Sequence, residues 1–124
     1  MQPSIICITL TATWLALGCA SFPVPTQHLA DAQAAERSAA ELGAANQPKA
    51  QLHLALAREQ MGQASVAMKD GDNGRADALL LRARSDAELA IALTRDQSAK
   101  TDAQKATDQS NAQKTTNANQ GAAQ

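Results

Sequence analysis

Aromatic side chains are almost missing from this chain: one Trp, one Phe and no Tyr occur in 124 residues. Trp14 lies in an early apolar run and Phe22 just after it, so the body has no ring on which to stack a base, grip a sugar or hold a cation. Neither charge is in excess. The formal net charge is −1 and acids alternate with bases, which excludes a basic face for nucleic acid. The two cysteines, Cys7 and Cys19, are too few for a disulfide framework or a thiolate zinc site. An apolar run of spanning length is missing too: residues 5–17 are uncharged, but a helix crossing a bilayer core needs roughly 20 apolar residues.

What is present begins with that short run. Apolar stretches of about 7–15 residues that end in small residues read as signal-peptide h-regions. Gly18 lets the chain lie extended in a peptidase site, and Cys19 follows as a nucleophile, so Cys19 is the expected acylation point. The stretch Leu15-Ala16-Leu17-Gly18-Cys19 resembles the lipobox of bacterial lipoproteins. That resemblance implies a lipoprotein signal peptide over residues 1–18 and a thioether-linked diacylglycerol on Cys19, which then becomes the N-acylated mature N-terminus. Lipoprotein sorting reads the next residue; Ala20 and Ser21 imply the outer membrane of a Gram-negative bacterium, facing the periplasm. Gly18-Cys19-Ala20 also satisfies the small-x-small rule for ordinary cleavage after Ala20, which would release a soluble periplasmic protein.

Beyond Cys19 the sequence reads as all-α. Residues 19–27 form a short tether, because Pro23 and Pro25 fix their own φ and push Phe22 and Val24 out of the α region. A first helix is expected over residues 28–45, with Ala32, Ala35, Ala39 and Leu42 on one face. Gly43 and Asn46-Gln47-Pro48 break it, with Asn46 a candidate N-cap and Pro48 in the first turn of the next helix. The second helix, 48–69, carries Leu54, Ala57, Met61, Ala64 and Met68 at alternating three- and four-residue steps, with Leu52 and Leu56 widening the stripe. Gly71 then suits a left-handed C′ position and Asp72 or Asn73 the next cap. The third helix, about 74–100, places Ala76, Leu79, Leu80, Ala83, Ala87, Ala90 and Leu93 inward. Arg82/Asp86, Arg84/Glu88 and Asp96/Lys100 stand four apart for surface ion pairs. Residues 101–124 contain no Leu, Ile, Val, Met or aromatic residue, so a disordered polar tail is expected there.

A hairpin of the second and third helices would be marginal alone, so the expected fold is an antiparallel helical hairpin or a three-helix arrangement over residues 28–100, with some self-association. The spacing Ala64, Ala67, Gly71, Asp72, Ala76, Leu80, Ala83 resembles one tetratricopeptide repeat, although Glu88 stands where that repeat has proline. A solenoid needs about three repeats, so an ordinary hairpin with small residues at its contact is the simpler reading.

No cofactor, metal or catalytic site is expected. His28 and His53 have no second His or Cys at ligand spacing, and the serines lack a nucleophile-elbow setting. Asp70-Gly71-Asp72-Asn73-Gly74 has neither the spacing nor the closing Glu of an EF-hand loop. Taken together, the lipobox-like start, the Ala-rich helix, the helix opened by Pro48 and the Gly71-Asp72 turn before Ala76, Leu80 and Ala83 resemble a bacterial domain-of-unknown-function family of small Ala-rich lipoproteins. In the family it resembles, related domains can precede OmpA-like peptidoglycan-binding modules. The resemblance implies a non-enzymatic envelope protein, held to the membrane by its lipid, with a helical face for a protein partner; a self-associating structural lipoprotein that braces or spaces the envelope is the alternative. Neither nucleic acid nor a small-molecule substrate is implied.

Overall fold

A computed structural model describes residues 22–122. The expectations for residues 1–18 and for Cys19 lie outside the described residues. Within them the order is α1 (Thr26–Glu41), a 3-10 turn (Ala44–Asn46), α2 (Pro48–Lys69) and α3 (Asn73–Ala122), with no strand among the described residues.

The ends of these helices follow from a few residues. Pro25 (φ −81°) stands before the first turn of α1, and its carbonyl accepts from the Leu29 N–H, so α1 starts at Thr26 and takes in two residues read as tether. It stops at Glu41, short of the expected 45, because Gly43 turns left-handed (φ 85°) and its N–H closes on the Ala40 carbonyl. Asn46 does not cap α2. It falls in the 3-10 turn, and Gln47 takes the N-cap place without a side-chain bond. Pro48 has no N–H to satisfy, which lessens the loss.

The turn between α2 and α3 is a Schellman motif: Gly71 (φ 78°) donates to the Met68 carbonyl and Asp72 to that of Ala67. Asp72 also begins α3, its Oδ1 accepting the Arg75 N–H at 3.1 Å.

Side chains fix the bundle's direction. His28 meets Asp77, Asp31 meets Arg84, and Glu36 meets Arg58. α1 therefore runs parallel to α3 and antiparallel to α2, an antiparallel three-helix bundle. Its buried apolar residues are 11 alanines and two leucines, Leu54 and Leu80. Alanine loses no side-chain entropy and favours helix, and its small size lets helix axes approach closely, but each one removes little apolar area from water. The core forms two clusters. Ala32, Ala64, Ala67, Ala76, Leu80 and Ala83 lie towards the α2–α3 turn, and Ala39, Ala44, Ala50, Leu54 and Ala90 towards the α1–α2 connection.

Two expectations need correction. Leu52 does not widen the buried stripe; it is 58% exposed, outside the core. The tail is not disordered up to Ala122: α3 is one helix of 50 residues. Its packed half has already met the nucleation cost, so each later residue needs only propagation. Proline is absent after Asn73, and Ala, Gln and Lys are good helix formers. Side-chain bonds four residues apart line the exposed surface, including Lys100 to Asp96, Gln104 to Asp108 and Gln113 to Asn117.

Candidate interaction surface

The small-residue face of the α2–α3 hairpin is closed by the protein itself. Ala32 of α1 sits with Ala64, Ala67, Ala76 and Ala83, all 4% exposed or less, so no partner helix reaches that contact. Any partner meets another surface, and three differ in character.

The first is the side covered by α1. Arg84 is held between Glu88 (2.7 Å) and Asp31 (3.3 Å), and Arg58 donates to Glu36 at 2.6 Å. The Glu88 hydrogen bond and charge, with the Asp31 charge, raise Arg84 above the ordinary arginine value. Exposed pairs of this kind are screened by solvent and contribute little to stability.

The second is the opposite side, where α2 and α3 meet without a third helix over them. Here Asp86 turns away from Arg82, its expected partner, and accepts from two α2 side chains: His53 Nδ1 lies 2.8 Å from Oδ1, and Gln60 Nε2 donates to Oδ2 at 2.8 Å. The Gln60 Oε1 is buried without a partner. Flanking this seam are Leu52 and Val66 on α2 and Leu81 and Leu89 on α3, between 42% and 58% exposed.

The third lies where the chain enters. Phe22 packs over Gly74, where an added Cβ would stand 3.2 Å from the ring, and Asn73 Nδ2 donates to the Phe22 carbonyl at 2.9 Å. His28 pairs with Asp77 just beyond. Pro23 and Pro25 stiffen the strand-like entry, so residues 22–28 clasp the α2–α3 turn end. Phe22 and Val24 stay 60% and 56% exposed beside it. The last turns of α3 lie at the other end of the molecule.

Each histidine thus pairs with one aspartate of its own, and no group of three His, Cys, Asp or Glu that could hold a metal occurs among the described residues. No described helix is long and apolar enough to cross a membrane. Sequence reasoning missed the roles of Asp77 and Asp86, because a carboxylate 49 or 33 residues from its histidine carries no local signal.

An Ala-packed three-helix bundle with one helix running far past its core defines a small all-α domain. The chain belongs to the family described as "Domain of unknown function (DUF4398)", whose model matches residues 27–106. The match spans the bundle and the first turns of α3 beyond it. No curated protein and no solved structure matches the chain.

Proposed function

We propose that this is a lipid-anchored protein of the bacterial cell envelope that acts as a helical interaction module without catalysis. The supporting observation is the clasp at residues 22–28. Cys19 precedes Phe22 by three residues, a reach of at most roughly 11 Å. Acyl chains on Cys19 would therefore hold the α2–α3 turn end close to the bilayer, with exposed Phe22 and Val24 facing the interface. α3 starts at that same end. At 1.5 Å per residue its 50 residues extend about 75 Å away, carrying a polar far end into the periplasm. More than one acyl chain makes such an anchor durable, since each buried methylene contributes about 0.8 kcal/mol. Ala20 after the cysteine favours the outer membrane.

Mass spectrometry of the mature N-terminus tests this reading. An acylated Cys19 is expected, and Cys19→Ser should leave the chain unprocessed or mislocalised. An unmodified N-terminus at Ser21, with the protein in the soluble periplasmic fraction, would refute it. The length of α3 also favours the second reading, a self-associating spacer; in-cell crosslinking that returns only homo-oligomers would prefer it over an adaptor for another protein.

A further inference from the structure

The open α2–α3 seam has a property that the α1 side lacks: its two rims match each other at three levels. The antiparallel register sets Lys49 beside Leu93 and Asp96 near the connection end, Gln60 beside Asp86 at the middle, and Asp70 beside Arg75 at the turn. On that register the α2 rim presents Leu52, Leu56 and then Asp70, and the α3 rim presents Leu93, Leu89 and then Arg75 at the same heights. Leucine stands level with leucine, and acid with base. Asp70 and Arg75 make no ion pair among the described residues.

We propose that this seam is the interface for a second copy of the chain, related by a two-fold axis parallel to the helices. Rotation about that axis sets α2 of one copy against α3 of the other at equal height. Leu56 meets Leu89 of the second copy, Leu52 meets Leu93, and Asp70 meets Arg75, each pair occurring twice as an isologous contact requires. An antiparallel dimer would instead bring the two turn ends to opposite ends and forfeit the acid-base match. A heterologous partner would have no reason to find the two rims of one molecule complementary to each other. The same axis points both clasps, and hence both copies of Cys19, in one direction, as two anchors in one leaflet must point; this last argument rests on the lipid-anchor reading, while the rim match does not. Leu52 and Leu89, exposed in the monomer, join the half-buried Leu56 and Leu93 at the centre of the contact, and the charges form its polar rim.

Disulfide trapping in the intact envelope tests the geometry with the full chain. Differently tagged copies carrying Leu56→Cys and Leu89→Cys are co-expressed and oxidised. The mixed adduct is expected to exceed either same-site adduct at least fivefold, and an Arg37→Cys control on the outer face of α1 should not link. Leu89→Arg should cut the trapped dimer at least tenfold while far-ultraviolet circular dichroism stays unchanged. Failure of the mixed pair to link, or preferential linking of Leu56→Cys to itself, would overturn the proposal. The N-terminal mass is read from the same sample: acylated but unlinked chains defeat the dimer alone, and linked chains without acyl groups defeat the anchor alone.

Discussion

Between Asn73 and Thr94, α3 buries Ala76, Leu80, Ala83, Ala87, Ala90 and Thr94 at alternating four- and three-residue steps; from Arg95 to Ala122 every residue is exposed. The backbone is continuous across that border. Continuing the same steps past Thr94 reaches Gln97, Thr101, Gln104, Asp108, Asn111 and Thr115, where polar groups replace alanine and leucine. The near half is a helix because its neighbours hold it. The far half is one because it extends an existing helix with good formers and four-apart side-chain bonds. Helical content and tertiary stability are therefore separate properties along one element, and substitutions should sort by which half they strike.

The strongest way to expose the difference is to hollow the near half. Leu80 has no exposure, and Leu80→Ala should cost about 2–5 kcal/mol, enough to unfold much of a bundle whose other buried apolar residues are almost all alanine. Urea titration by circular dichroism would show the lowered midpoint. Next comes overpacking. Ala83→Leu forces a large side chain between close helices, for about 1–3 kcal/mol, whereas Ala103→Leu on the exposed half should stay within about 0.5 kcal/mol of the parent. Equal effects at the two positions would erase the distinction.

Two glycines sharpen it further. Gly71 holds φ 78° in the turn, so Gly71→Ala should destabilise by about 1 kcal/mol; Gly62 lies within α2 with nothing near its would-be Cβ, so Gly62→Ala should stabilise by about 0.5–1 kcal/mol. The smallest effect tests the far half directly. Ending the chain after Lys100 should lower total helical signal in proportion to the residues removed and leave the urea midpoint unmoved. A fallen midpoint would mean that residues 101–122 pack on something after all.

Much of the bundle was legible from periodicity. The stripe of Leu54, Ala57, Met61, Ala64 and Met68 on α2, and that of Ala76 to Leu93 on α3, both lie where the three- and four-residue steps put them, with Gly71 left-handed and Asp72 capping. Local spacing suffices there because helix faces are set by residues a few positions apart. Three features escaped it. Leu52 looks like core in a list of apolar residues, yet it stands outside the core, since apolar character does not say which side of a helix has a neighbour within the fold. Asp86 sits four residues from Arg82 and still bonds His53 and Gln60, because half-buried polar groups across the seam compete with an exposed neighbour on the same helix. The helix beyond Lys100 was misjudged by weighing buried area alone, when nucleation had already been supplied upstream.

The sequence by itself determined that the chain is helical, where its two turns fall, and that its contacts are made of alanine, since propensity, glycine conformation and periodicity act over a few residues. Only the tertiary structure decided that α1 closes the small-residue face, that the seam opposite is left open, and that the N-terminal clasp and the tip of α3 lie at opposite ends. Those outcomes depend on which of several similar Ala-rich faces meet, a choice marked by pairs such as His28 with Asp77 and Arg58 with Glu36, whose members lie too far apart in sequence for a local pattern to encode.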